Sequence, residues 1–301
     1  MKKILALIAL TAVSFSGFSQ EEQEEQKSNI QTYTPSKLLK KGQWDIKFFN
    51  GLYTQTRSTD ARSTSVKIDR ETFFTNTTEI YTGISNNSRI NVGFVYQVRS
   101  NTLNGQGAFD VFKFKDNDEA RAGFTTIAPS IRIQPFASLP NFSLTSSLFL
   151  PIFEDKANAP YLDKRSTYWE TKFFYDKTFG GNKWQVFTEL DLGFNFGEES
   201  SEASADENST ERFANNSLFL PLAGFLSYFP SSKTTVFVNA KQGFLIDLGN
   251  DFDQNSTSLG LGGKYQLTNV LNIEASFDKF VRGNNFQGLG ETYSIGLRAL
   301  F

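Results

Sequence analysis

The stretch Arg89-Ile-Asn-Val-Gly-Phe-Val-Tyr-Gln-Val-Arg99 decides the fold. Ile90, Val92, Phe94, Tyr96 and Val98 fall on one side of a period-two pattern, opposite Arg89, Asn91, Gly93, Gln97 and Arg99. Successive side chains of a strand point to opposite faces, so this is a strand with one apolar and one polar face. The pattern recurs along the chain. Trp44, Ile46 and Phe48 stand opposite Asp45 and Lys47, and Trp184, Val186, Leu190, Leu192, Phe194 and Phe196 form another apolar row. Further rows are Phe142, Leu144, Leu148 and Leu150; Trp169, Phe173 and Tyr175; Val236, Val238 and Ala240; and Leu259, Leu261, Tyr265 and Leu267. The last two are Leu271, Ile273, Ala275 and Phe277, then Tyr293, Ile295, Leu297, Ala299 and Phe301. Segments near residues 72–84, 123–133 and 217–229 bring the count to about twelve, at lengths that let a tilted strand cross a bilayer.

The connections alternate in length. Short ones fall at residues 85–88, 137–141, 180–182, 230–233 and 268–269, and longer polar ones at 55–70, 100–120, 153–165, 197–212, 249–255 and 282–291. Short periplasmic turns and long external loops are the asymmetry of outer-membrane barrels. The expected fold class is therefore all-β: a transmembrane, antiparallel, up-and-down β-barrel of about 12 strands with a short periplasmic N-terminal tail. A water-soluble β-sandwich would alternate too, but has no reason to alternate its loop lengths. Nor would it expose aromatics near so many strand ends, which interfacial girdles explain for Trp44, Tyr96, Trp169, Tyr175, Trp184, Tyr228, Tyr265 and Tyr293.

The chain begins as an export signal. Lys2 and Lys3 precede an apolar core from Ile4 to Val13, and Gly17, Phe18 and Ser19 lead to a cleavage point before Gln20. Residues 1–19 read as a signal peptide, 20–42 as a flexible periplasmic tail and 43–301 as the barrel. The charged run at 21–27, and Pro35 with three lysines in 34–42, suit a solvated tail. No stretch approaches the roughly twenty apolar residues of a membrane helix, so crossing falls to strands. The expected location is the outer membrane, among its lipids and lipopolysaccharide.

Composition narrows the chemistry. With 30 Lys and Arg against 32 Asp and Glu there is no charge excess pointing to nucleic acid. His and Cys are both absent. Without histidine a Ser-His or Asp-His mechanism is impossible, and no carboxylate or lysine motif replaces it, so no catalytic residue and no enzyme activity are assigned. No cofactor is implied, and only oxygen ligands remain for a metal. Asp251, Asp253 and Asn255 start like a calcium loop, but Ser256 occupies the glycine position and Gly262 that of the closing glutamate, so no metal site is assigned. Segment 197–212 carries six acids against one arginine and reads as a solvated loop.

The closing stretches Ser258-Leu-Gly-Leu-Gly-Gly-Lys-Tyr-Gln-Leu-Thr-Asn and Tyr293-Ser-Ile-Gly-Leu-Arg-Ala-Leu-Phe301 resemble the final hairpins of outer-membrane barrels, transporter-like families included. Together with Tyr33-Thr-Pro-Ser-Lys-Leu-Leu-Lys-Lys-Gly before the first strand, the chain resembles outer-membrane barrels of Bacteroidota-type bacteria. The resemblance implies fold and location over nearly all the mature chain, and neither substrate nor catalytic residue. The terminal aromatic Phe301 is similar to the strand signal read by the barrel-assembly machinery, an expected partner through the C-terminal strand.

The polar faces then define the interior. Expected lumen-lining residues are Lys47, Glu79, Arg89, Arg99, Arg132, Lys172, Glu189, Asp191, Lys241, Lys264, Glu274, Asp278 and Arg298. Asp45, Glu71, Glu170 and Asp176 share these faces, as do Phe187, Phe219, Phe225 and Phe237. The signs nearly balance, which fits either interlocking ion pairs or opposing charged strips across a narrow aqueous pore. A porin-like pore or transporter for small solutes is the expected function. The alternative is a non-conducting structural, assembly or surface-interaction barrel whose lumen is filled by ion pairs.

Overall fold

The computed structural model describes residues 30, 34, 36–153, 160–163, 166–197, 216–249 and 252–301. The expected signal peptide, most of the acidic segment 197–212 and the first residue of the calcium-like stretch lie outside them.

The strand segments are β1 (Trp44–Thr59), β2 (Ser65–Gly83), β3 (Ile90–Thr102), β4 (Ala120–Ile133), β5 (Phe142–Pro151), β6 (Thr167–Phe179) and β7 (Trp184–Phe196). They continue with β8 (Ser217–Phe219), β9 (Leu222–Ser231), β10 (Thr234–Asp247), β11 (Gln254–Gln266), β12 (Leu271–Gly283) and β13 (Glu291–Leu300). Each pairs antiparallel with its neighbours, and the first meets the last: Asp45 lies opposite Leu300 and Thr54 opposite Glu291. β8 and β9 share one position between β7 and β10, broken where Pro221 has no N–H to give. The result is a closed barrel of twelve strands, as the period-two pattern requires. Closure leaves no free sheet edge.

Register sorts the side chains cleanly. Val236, Val238, Leu259, Leu261, Ile295 and Leu297 stand exposed on the outer wall, while the alternate positions turn polar groups and rings inward. A contiguous apolar exterior of this kind is compatible with lipid and not with water. Inside, several rings lie flat along the wall over a glycine. A side chain at Gly93 would collide with Tyr81, one at Gly296 with Phe49, and one at Gly262 with Phe237, each the glycine's cross-strand partner. Small-over-large pairing keeps these rings out of the centre of the lumen.

The ends of the barrel differ from the expectation in three places. Residues 55–70, read as a long loop, are largely ladder: Arg57, Ser58 and Thr59 pair with Lys67, Val66 and Ser65 beyond an irregularity at Gln55. The remaining turn is tied by Asp60, whose carboxylate accepts from the N–H groups of Arg62 and Thr64 at 2.9 and 2.7 Å and is held below the usual carboxylate range by such bonds. Arg, Ser, Thr and Val sustain a strand as readily outside a membrane as in it, so polarity alone did not mark its end.

The loop after β3 folds down over the outside of the wall. Val111, in a short 3₁₀ turn at Asp110–Lys113, is fully buried against outward-facing Leu52 and Phe74. Ser100 Oγ donates to the Val111 carbonyl at 2.6 Å, and Phe74 meets the rings of Phe112 and Phe114 edge-on. Phe109, Phe112 and Phe114 remain exposed.

Residues 36–42, expected as part of a flexible tail, are instead folded into the end of the barrel that carries the short turns. Leu38 and Leu39 are buried, and Asn91 brackets Leu39 by accepting from its N–H at 3.0 Å and donating to its carbonyl at 3.1 Å. Lys37 Nζ donates to Pro140 O and Asn141 Oδ1, Thr34 Oγ1 donates to Asp176, and Lys41 bridges to Gly83. The lysines that read as solvating a loose tail flank two adjacent leucines, and burying those leucines supplies the docking energy.

Candidate functional site

Among the described residues the barrel interior carries two networks of closely paired charge. On β1, β2, β4 and β13 one network runs sideways across the wall. Arg298 holds Asp45 with Nε to Oδ1 at 2.7 Å and an NH₂ nitrogen to Oδ2 at 2.9 Å. Arg132 reaches over β3 to Asp45 Oδ2 at 3.2 Å and to Glu79 Oε2 at 2.7 Å, and Lys47 meets the same Glu79 oxygen at 3.0 Å. The Tyr81 ring lies over Gly93, and the Arg132 guanidinium carbon sits 3.4 Å from the centre of that ring. Three cations face two carboxylates here.

A second cluster on β6 and β7 has the opposite balance. Lys172 Nζ lies 2.9 Å from Asp191, 3.2 Å from Glu189 and 3.6 Å from Glu170. One cation faces three carboxylates. The remaining pairs cancel locally: Lys264 with Glu274 at 2.8 Å, Lys241 with Asp278 at 2.9 Å, and Arg99 with Asp163 at 3.0 Å. The near balance read from the sequence therefore resolves into one positive and one negative wall.

Between the walls lies a cavity of about 590 Å³. Of the expected residues, Lys47, Glu79, Arg99, Arg132, Lys172, Glu189, Lys264, Glu274 and Arg298 line it. Asp191 and Lys241 line an adjoining space of about 320 Å³ nearer the long loops. Asp278 is buried behind Lys241. Arg89 does not join them. It precedes β3 in the short turn, where its guanidinium donates to the carbonyls of Gln134 and Pro135 at 2.9 and 2.5 Å and so caps the β4–β5 turn.

Both mouths are narrowed. Ile30, Thr34 and Lys37 of the folded tail line the cavity at the short-turn end. At the other end residues 160–163 turn inward: Asn101 Nδ2 donates to the carbonyls of Tyr161 and Leu162 at 2.8 and 2.9 Å, Leu162 is buried, and Asp163 meets Arg99.

The inward phenylalanines read from the sequence, Phe187, Phe219, Phe225 and Phe237, line this cavity, and Phe174, which went unread, extends them into an aromatic strip. Phe174, Phe187, Phe225 and Phe237 sit on four neighbouring strands, with successive ring centroids 5.9, 5.4 and 5.8 Å apart, and all four line the cavity. Phe49 and Phe149 add rings elsewhere. Phe174 and Phe49 each follow a phenylalanine in sequence, and strict alternation from Phe173 or Phe48 is the signal that turns them inward.

No protein-family model and no curated protein matches the chain. Solved structures with this fold are numerous. The COG4313 outer membrane channel from Pseudomonas putida F1 superposes with a TM-score of 0.65 at 11% identity, over 93% of this chain and 100% of that one. The β domain of the Bordetella autotransporter BrkA gives a TM-score of 0.53 at 13% identity, over 85% of this chain and 99% of that one. At such identities the likeness is one of fold: that of an outer-membrane β-barrel.

Proposed function

We propose that this barrel is an outer-membrane pore for small solutes, placed with its short turns and both chain ends on the periplasmic side. The observation that carries the proposal is the cavity of about 590 Å³ that follows the barrel interior from the folded tail to the inturned loop, lined by ionised side chains. Its cations are partly accessible, Lys172 and Lys264 at 31% and Lys47 at 17% of their side-chain surface. Charges with retained solvent contact line an aqueous path; a barrel filled by dry ion pairs would have no such space. The apolar exterior supports insertion in lipid, and likeness to a known outer membrane channel supports the same class. On this reading the export signal is removed in transit, and the assembly machinery engages β13, which carries Tyr293, Ile295, Leu297 and Ala299 on the lipid-facing register and is followed by Phe301.

A second reading keeps the barrel closed at rest, because the docked tail and residues 160–163 narrow the two mouths. Single-channel recording of the purified barrel in a planar bilayer separates them. Discrete conductance steps support the pore, and a silent bilayer with a correctly folded barrel supports the closed reading.

A further inference from the structure

The two charged walls and the aromatic strip are not placed at random relative to one another. Glu189 is the cross-strand partner of Phe174 and lies two residues from Phe187 on the same inward face. The negative cluster thus borders the ring strip directly, while the positive network stands on other strands. Asp191 is about nineteen-twentieths buried, and among the described residues no hydrogen-bond donor meets its Oδ1. Thr235 Oγ1, on the strand that carries Phe237, is similarly buried without a partner; Thr235 lines the cavity of about 590 Å³ and Asp191 the adjoining space. Buried polar atoms left this way are costly unless something supplies the missing contact.

Aromatic faces carry negative quadrupole potential and attract cations, most strongly when water is partly excluded. The Phe237 ring lies along the wall over Gly262 and lines the cavity. The Phe225 ring already attracts one ammonium, Lys241 Nζ at 5.9 Å from its centre, whose charge Asp278 offsets at 2.9 Å. Surplus carboxylate, ring faces and unmet acceptors make a set that suits a positively charged group with an apolar body. An inorganic cation would use the carboxylates and gain little from the rings, and an organic anion would meet surplus negative charge beside them.

We propose that the wall formed by β6, β7, β9 and β10 is a recognition site for small organic ammonium ions, the ammonium meeting Glu189 and Asp191 and the apolar body lying on Phe187 and Phe225. This deepens the pore reading and rests on it for transport, though not for binding.

The test uses three probes with the full-length barrel: 2-phenylethylammonium, phenylacetate of the same shape and opposite charge, and ethylammonium without the ring. In bilayers, reversal potentials and current block are expected to favour 2-phenylethylammonium over each of the other two by about tenfold, the order of one or two cation–π and charge contacts. Phe187→Leu and Glu189→Gln should each reduce that preference several-fold, with heat-modifiable mobility verifying the fold of each variant. Equal treatment of the three probes by a conducting barrel would overturn the ammonium site and leave the pore standing. If the barrel does not conduct, calorimetric binding of 2-phenylethylammonium to the barrel in detergent decides. Binding that weakens in the variants supports the site and sinks the pore, and no binding sinks both.

Discussion

Arg298 joins the last strand to the first twice over. Its backbone pairs with Lys47 across the seam, and its guanidinium grips both oxygens of Asp45, whose side chain is fully buried. The residue that closes the ladder also neutralises the most deeply enclosed acid of the positive wall.

Removing one side of that grip should therefore act on closure. Arg298→Ala leaves Asp45 with Arg132 alone, and a broken buried pair typically costs about 3–5 kcal/mol. The Asp45→Ala, Arg298→Ala double variant should lose less than the sum of the single changes. Denaturant unfolding from detergent, arranged as a double-mutant cycle, measures the coupling; strictly additive losses would show that the pair does not stabilise the seam.

Asn91 holds both backbone polar groups of Leu39 in the folded tail. Asn91→Ala strips the partners from the Leu39 N–H and carbonyl, a defect of about 1–3 kcal/mol per unsatisfied group. Trypsin should then cut after Lys37, Lys40 or Lys41 faster than in the parent, and single-channel conductance should rise. Unaltered cleavage would mean that the buried leucines suffice.

Charge selectivity should follow the negative wall. Glu189→Gln with Asp191→Asn leaves Lys172 facing Glu170 alone, so the local balance moves from surplus acid to neutral and the reversal potential in a salt gradient shifts toward anions. Lys172 keeps Glu170, and the amide oxygens of the substituted residues can still accept from its ammonium, so the stability loss is expected to be small. Lys172→Met should shift selectivity the other way and destabilise more, since three carboxylates then share the site without a cation. An unshifted reversal potential in both variants would place the conduction path elsewhere.

A closed ladder resists detergent at room temperature, because unfolding must expose paired backbone along a whole strand before any edge is free. The unheated barrel is expected to migrate differently from the boiled chain in electrophoresis. Identical migration, with no β signature in circular dichroism, would contradict the architecture.

Period two made the barrel legible: once Ile90, Val92 and Phe94 face lipid, Asn91, Gly93, Gln97 and Arg99 must face inward. Most of the interior charge followed from that rule. Arg89 did not, since it keeps the inward parity but stands in a turn, and parity says nothing about where a strand ends. The pairing of charges was hidden as well. Arg132 meets Asp45 across two intervening strands, over a Tyr81 ring that itself lies on Gly93, an arrangement with no signature in the order of residues. Likewise the hairpin beyond Gln55, the loop carrying Val111 and the tail around Leu39 are all polar segments with a few apolar residues, and only tertiary packing reveals which surface those residues find.

The loop docked against Leu52 and Phe74 has a consequence for how the molecule sits in its bilayer. It places Phe112 and Phe114 against Phe74 on the outer surface, with Phe109, 73% exposed, stacked on Phe112. The apolar surface is thereby extended on the β1–β3 side of the barrel. A bilayer meets unequal height by tilting the protein or thickening locally, at a cost of fractions of a kcal/mol per Å. The barrel axis should therefore lean in a fixed direction set by these three rings, and lipid chains should be ordered most strongly next to them.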